Sequence, residues 1–364
     1  MSTALSIPRH PSDVTSAWLS SVLSAKGAGV DVADVDVSPI GTGQTGATYR
    51  IRVVYATPQP DLPATYVLKL PAQDDSTRDR VILGYRSECA FYETVADKVQ
   101  IPKPDCYHSD IDDNTGDFAL LLADQATAVQ GDQIGGCGAD QAAAASRALA
   151  GLHGPTWCDP VWHDFHALSM TMKDDASMKM LGDVAVMSAG MVIEKIGSRL
   201  SEEDRETLTA AMGLVEPWLR DSPERFALMH GDYRLDNMLF DTESDRLTVV
   251  DWQTLGVGLP ARDLAYFIGT SLVPELRAEL EGQLVDEYHE ELLKYGVTGY
   301  SRETCWRDYR IGMLQALLIP SLGCAFASDT ARGDDMFIVM LERGCRAIRE
   351  LNSLELIEVP ATDS

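Results

Sequence analysis

Positive charge is scarce in this chain. Against 56 Asp and Glu stand only 30 Lys and Arg, a net charge of −26 at pH 7. Sequence-independent nucleic-acid binding needs basic patches that neutralise phosphates, and anionic membrane surfaces attract polybasic segments; neither class of partner fits. A solvated acidic surface that aids solubility accounts for the excess; attraction of a cationic substrate is the other reading. Paired cysteines are missing too. Cys89, Cys106, Cys137, Cys158, Cys305, Cys324 and Cys345 are scattered, odd in number and without a C-x-x-C. That argues against a disulfide framework or a zinc site and suits a reducing cytosol, so a cytoplasmic location is expected. The N-terminal MSTALSIPRHPSD has no apolar core, so no secretory leader is expected there. The most apolar run, Ile311 to Ala327, is interrupted by Gln315, Pro320 and Gly323, and reads as a buried helix with a break rather than a membrane span.

What is present fits a soluble globular enzyme: 45% hydrophobic and 24% charged residues. At 364 residues the chain is long enough for two domains of roughly 150 residues each. Ser12 or Asp13 is placed to cap a first helix, Val14 to Ala25. Alternating valines at 30, 32, 35 and 37, the β-branched run ATYRIRVVY (47–55) and TYVLKL (65–70) predict strands. A helix is expected from about Thr77 to Lys98, stopped by Ile101-Pro102-Lys103-Pro104, and Phe118 to Leu122 reads as a compact buried strand. After Asp124 helical patterns take over, at 139–153, around 183–197, and at 202–220, 275–294, 302–319 and 334–352. The change of character places a boundary between a strand-rich domain, 1–123, and a helical one, 124–364, an α+β arrangement.

GTGQTG (41–46) fits G-x-G-x-x-G, yet the residues after it have strand character. A dinucleotide site needs a helix there, and a Walker loop needs G-K-[ST], which is absent. Two readings stay open: a glycine lid over nucleotide phosphates, in which Gly41, Gly43, Gln44, Thr45 and Gly46 offer main-chain N–H groups, or a plain turn between strands. Lys69 interrupts the apolar strand Val67-Leu68-Lys69-Leu70. Val81, Tyr85, Glu88, Tyr92 and Val95 share one helix face by their spacing of four and three. A carboxylate on that inward face needs a cation, and a Lys69–Glu88 pair answers both needs while aiming the ammonium at nucleotide phosphates.

Residues 230–237, His-Gly-Asp-Tyr-Arg-Leu-Asp-Asn, break an apolar segment with dense polarity. Asp241 to Asp245 is a turn signal, so 238–240 and 247–250 should form a hairpin with Asn237 and Asp251 at the same end. A carboxylate and an amide oxygen are hard ligands suited to Mg²⁺. Asp232 is placed to accept a proton from a substrate hydroxyl, and Arg234 to meet a transferred phosphoryl group.

H-G-D-x-x-x-x-N followed by D-W-Q resembles the small-molecule kinases of the aminoglycoside phosphotransferase superfamily, and most of all their ecdysteroid kinase-like (choline-kinase-like) branch. The resemblance runs through HGDYRLDN (230–237), VVDWQ (249–253) and ARDLAYF (261–267), and covers about residues 38 to 267. It implies a bilobal protein-kinase-like fold, with a small β-rich N-lobe and a larger, mainly helical C-lobe. It also implies ATP and Mg²⁺ as cofactors and a small-molecule hydroxyl as acceptor. Carried over by position, Asp232 is the catalytic aspartate, Asn237 and Asp251 hold the metal, and Lys69 and Glu88 form the phosphate-orienting pair. The main chain around Leu122, Ala123 and Asp124 becomes the adenine hinge. Ala123 stands where the family often has an acidic residue, so a hinge role there rests on the main chain. His230 and Asp263 support the catalytic loop, and His153 is a packed, hydrogen-bonded residue. Only eleven residues separate Asp251 from Asp263 and no A-P-E follows, which argues against a protein substrate.

The acceptor is open in the sequence. Six methionines, Met170, Met172, Met178, Met180, Met187 and Met191, crowd one segment. Either they line an apolar acceptor site or they fill an ordinary helical core. The alternatives for function are a kinase of an apolar alcohol, an aminoglycoside kinase, and a nucleotide-binding regulator without activity.

Overall fold

The computed structural model describes residues 6–25, 29–40, 46–169, 174–221, 224–244, 246–327 and 330–358. Gly41, Gly43, Gln44, Thr45, Met170 and Met172 lie outside the described residues. The chain forms two compact units. One comprises Met1–Lys98, Lys103–Ala128 and Val250–Thr254; the other comprises Val99–Pro102, Val129–Val249 and Leu255–Ser364. The first runs a few residues past the composition change at 123–126 and takes in a short segment from far along the chain.

The N-terminal unit is built on an antiparallel sheet of β1 (Val32–Pro39), β2 (Gly46–Tyr55), β3 (Thr65–Pro71), β4 (Cys106–Ile111) and β5 (Phe118–Ala123), in the order β1-β2-β3-β5-β4. Alternation along the strands separates its two faces. Ile51, Tyr66, Leu68, Leu70 and Leu121 form a core with Trp18, Leu19 and Val22 of α1 (Ser16–Ser24). That helix is capped by Thr15, whose Oγ1 accepts from Trp18 N at 3.1 Å. Ser12 and Asp13, the expected caps, belong instead to a 3-10 turn that precedes it. Opposed residues of paired strands share a face: Lys69 lies across from Thr48 and Leu120, and Val67 from Arg50 and Leu122. These residues occupy the face away from the α1 core.

The helix expected over 77–98 is regular α-helix only as α2 (Asp75–Ala90). It continues as a π-helical turn, Phe91–Val95, and a 3-10 turn, Ala96–Lys98. The wider turn buries Phe91, Tyr92 and Val95 together. Phe91 stacks flat on Trp252, ring centroids 3.7 Å apart and planes at 5°, and Ser87 Oγ donates to the Trp252 carbonyl at 3.1 Å. The fully buried Trp252 is the anchor that makes Val250–Thr254 part of this unit.

The second unit has short strands and long helices. The strands are β6 (Ala128–Gln130), β7 (Ala227–Met229), β8 (Met238–Asp241), β9 (Leu247–Val249) and β10 (Gly256–Gly258), in sheets β6-β8-β9 and β10-β7. The hairpin predicted from the turn at 241–245 forms, with Met238 opposite Val249. The helices are α3 (Ala139–Thr156), α4 (Asp175–Ile196), α5 (Glu202–Met212), α6 (Val215–Leu219), α7 (Ala261–Ser271), α8 (Pro274–Lys294), α9 (Arg302–Gly312), α10 (Gln315–Phe326) and α11 (Ala331–Glu350). Every residue of α7 is buried, so its Arg262 and Asp263 are buried charges that need an account.

Two expectations are corrected. The break in the apolar run 311–327 falls at Met313–Leu314, and Pro320 and Gly323 lie inside α10. Gly312 sets the place, because a Cβ there would meet the Ala261 carbonyl at 2.7 Å where α9 crosses the start of α7. The stretch Arg302–Phe326 is long and apolar enough to cross a membrane, but 67% of its most apolar window is buried in this unit, as in a core helix. The methionines of α4 do not form an ordinary core either. Its buried face is made of Gly182, Ala185, Ser188, Ala189, Val192 and Ile196, small residues that allow close approach: a Cβ on Gly182 would lie 2.9 Å from Glu216 Cβ. Met180, Met187 and Met191 are exposed.

Replacing Trp252 by Ala should cost about 3–5 kcal/mol of unfolding free energy, the range for deleting a buried aromatic. Denaturant titration measures it, and a loss under ~1 kcal/mol would show that the stack on Phe91 is not what anchors the segment.

Candidate active site

In the N-terminal unit the pair expected from the sequence is formed. Lys69 Nζ donates to Glu88 Oε2 at 2.6 Å and to Oε1 at 2.8 Å, and lies 3.5 Å from Asp251 Oδ1. The Glu88 side chain is 1% exposed and that of Asp251 38%. Burial disfavours the ammonium, but the charges of Glu88 and Asp251 outweigh it and raise the Lys69 pKa above its ordinary value. Asp251-Trp252-Gln253 thus serves three ends within one unit: Asp251 faces Lys69, Trp252 anchors the segment, and Gln253 Nε2 donates to Glu88 Oε2 at 3.3 Å. Gly84 permits this approach, since a Cβ there would be 3.1 Å from Gln253 Cβ. Asp251 has φ +70°, a conformation that costs a non-glycine residue free energy and clusters at functional sites. Its buried Oδ1 has no hydrogen-bond partner. A carboxylate oxygen on a strained residue, held only by the Lys69 ammonium at 3.5 Å, fits a cation ligand.

The segment expected to form the hinge lies at the end of β5. Leu122 is paired with Val67 and Ala123 with Tyr66. The Ala123 N–H already donates to the Asp105 carbonyl at 2.8 Å, so that donor is engaged within the protein. The Asp124 side chain is 2% exposed and receives Arg50 in a two-pronged pair, Nε at 2.8 Å and Nη2 at 3.1 Å. Gly46, the last of the glycine-loop residues, opens β2.

The second unit carries the polar octet 230–237. Asp263, wholly buried at the start of α7, accepts from His230 N at 2.6 Å and Gly231 N at 3.0 Å, and His153 Nε2 lies 3.4 Å away. His153 Nδ1 meets the Tyr288 hydroxyl at 2.8 Å. Gly231 has φ +83°, a turn that side chains disfavour. It delivers Asp232, whose carboxylate accepts from Tyr266 Oη at 2.8 Å, Asn237 Nδ2 at 2.9 Å and Arg234 Nε at 3.1 Å, and whose side chain remains 21% exposed. Asn237 Nδ2 also donates to the Asp232 carbonyl at 2.8 Å. With the nitrogen so committed, the amide oxygen is the atom left for a cation.

Arg234, expected to meet a phosphoryl group, is committed elsewhere. It bridges Asp232 and Asp236, with Nη1 at 2.9 Å from Asp236 Oδ2. Burial alone would lower its pKa, but those carboxylates raise it. It is a positioning residue for Asp232. Asp236, for which the sequence suggests no role, is the centre of a clamp. It accepts both Nη atoms of Arg332 at 3.0 Å and Gln133 N at 3.2 Å.

A model of the phosphotransferase enzyme family matches residues 36–302. The chain belongs to that family. This phosphotransferase is similar in structure to a microcompartment-associated aminopropanol kinase (TM-score 0.56, 16% identity, 88% of this chain and 94% of that one). It is also similar to the GDP complex of aminoglycoside 2'-phosphotransferase-IIIa (TM-score 0.53, 14% identity, 90% and 98%). It shares their α+β, protein-kinase-like fold. Among curated proteins, acyl-CoA dehydrogenase family member 11 of Gallus gallus is 41% identical over 61 residues, and the protein of the same name from Homo sapiens 39% over 62. The chain spans only 8% of the length of those relatives.

Arg50, Gln133, Gln253, Tyr266 and Arg332 were not singled out by sequence. Tyr266 carried a signal, since it follows Asp263 by three residues and so shares its helix face. Arg332 carried none, because 96 residues separate it from Asp236.

Burial pushes the Asp236 carboxyl up, but Arg332 and Arg234 outweigh it and hold it below the ordinary 3.8. A depressed folded pKa gives stability that is present above 3.8 and lost as pH falls through the folded value. Asp236→Asn should therefore lower the melting temperature at pH 7, with the gap to wild type unchanged down to about pH 5 and closing below about pH 4. A gap independent of pH would show that the charge of Asp236 is not what stabilises the clamp.

Proposed function

We propose that the protein is a kinase that moves the γ-phosphate of ATP to a hydroxyl of a small molecule, with Mg²⁺. The observation that carries the reading is a division among carboxylates. Glu88 is buried and neutralised by Lys69, whereas Asp251 and Asp232 keep 38% and 21% of their side chains open. The buried one orients a cation; the open ones are free for ligands.

In this reading Lys69, oriented by Glu88, binds the nucleotide's phosphates, and the glycine loop 41–46 supplies main-chain N–H donors to them. The main chain of 122–124 borders the base. Asp251 and the Asn237 amide oxygen hold the metal. Among the described residues no group of three or more His, Cys, Asp or Glu gathers, and Mg²⁺ needs none, since it keeps several waters and takes one or two carboxylates plus phosphate oxygens. When bound, it neutralises charge developing on the phosphate oxygens. Asp232, fixed by Tyr266, Arg234 and Asn237, takes the hydroxyl proton as the substrate oxygen bonds to the γ-phosphorus; the bond from that phosphorus to the bridging oxygen breaks and ADP leaves. All these positions are filled, which a nucleotide-binding regulator without activity would not require.

Asp232→Ala should leave Mg-ATP binding largely intact and lower turnover by on the order of 10²–10⁴-fold; wild-type turnover in that variant would sink the assignment. Asp251→Ala should abolish metal-dependent ATP binding in a calorimetric titration, and an unchanged affinity would count against its role as ligand.

A further inference from the structure

The second unit contains a cavity of about 180 Å³, lined in part by Gly231, the neighbour of Asp232. Most of its wall is apolar: Met178 and Leu181 from α4, Trp218, Met229, Val257 and Leu318. The expectation of an apolar acceptor site formed by the methionine segment therefore narrows to one methionine of α4, Met178.

Into this wall is set a buried cation that no carboxylate among the described residues neutralises. Arg262 is 7% exposed. Its Cζ lies 3.9 Å over the Trp218 ring and its Nη2 donates to the Trp218 carbonyl at 3.1 Å. Its buried Nε has no hydrogen-bond partner, and among the described residues no carboxylate lies within ion-pair distance. Asp221, also on the cavity wall, acts on it only through space and lies 3.5 Å from Arg307. Other shielded arginines of this unit differ. Arg225, on the same wall, is neutralised by Asp308 at 2.7 Å, and the fully buried Arg277 by Glu281 and Glu350. Burial draws Arg262 down to about 10, so it stays protonated at neutral pH. An unpaired buried charge costs free energy that an anionic partner offsets.

Resting on the kinase reading above, we propose that this cavity receives the acceptor and that the acceptor carries a carboxylate, held by Arg262, on an apolar chain that bears the hydroxyl. The planar guanidinium suits a carboxylate. The volume is below the roughly 300–1,000 Å³ of clefts for drug-sized ligands, which fits a compact hydroxy acid better than a multi-ring aminosugar. A cationic acceptor would meet Arg262 at once.

Three matched series of about four to eight carbons test this: ω-hydroxy acids, the diols of equal length, and the amino alcohols of equal length. With Mg-ATP the wild type should give kcat/KM at least about 10-fold higher for the best acid than for its diol, with the amino alcohol last. Arg262→Gln should lower the acid-to-diol ratio of kcat/KM by about 10–100-fold. An amino alcohol preferred in its series, or a ratio unmoved by the substitution, would overturn the proposal. Should Arg262→Gln not fold, or no chain be turned over, melting of the wild type with hexanoate, 1-hexanol or hexylamine decides. Protection by hexanoate above the other two supports the site, and no such preference refutes it. If Mg-ATP itself fails to bind, the kinase reading falls; if it binds and amines are preferred, only the carboxylate falls.

Discussion

The grip of one buried carboxylate on two main-chain amides underlies the polar loop 230–237. Asp263 has no exposure. It is satisfied by the N–H groups of His230 and Gly231, with His153 behind it. A buried carboxylate tolerates this only when its hydrogen bonds are made. The amides therefore cannot drift, the left-handed turn at Gly231 is held, and Asp232 is delivered at a set angle. Tyr266, one helical turn further along α7, then reaches the Asp232 carboxylate. A single helix both fixes the loop and orients its acid.

Charge in the N-terminal unit is organised on a different principle. There a lysine sits between a buried and an open carboxylate, and the segment that brings the open one is tied down by an aromatic stack. Burial makes the Lys69–Glu88 attraction strong, and exposure leaves Asp251 able to exchange its partner for another cation. Three successive residues divide the work: Asp251 faces Lys69, Trp252 stacks on Phe91, and Gln253 reaches Glu88.

Much of this was legible in the sequence, and where it was not the reason is physical. Local patterns carried β1, β2, β3, β5, most of the helices, the 238–249 hairpin and the Lys69–Glu88 pair, because each depends on residues close in sequence or on one unpaired buried charge. The start of α1, the π-turn at Phe91 and the place of the break before α10 were missed. They depend on which side chain wins a cap, on Phe91 meeting Trp252, and on Gly312 touching Ala261, none of which is local. The partners of Arg234 were not legible for the same reason. Its two-residue distance from Asp232 suggested a ligand contact, while Asp236 and the remote Arg332 turned it into part of a clamp.

By itself the sequence determined the reaction family and the residue types at its centre, since chemistry needs a base, hard oxygen ligands and a paired lysine in a given order along the chain. Only the tertiary structure decided the environment of each. Burial and partnership depend on elements that meet after folding. Those meetings made Asp236 a structural anchor, sent Met180, Met187 and Met191 of α4 outward, and left Arg262 a desolvated cation that no carboxylate among the described residues pairs.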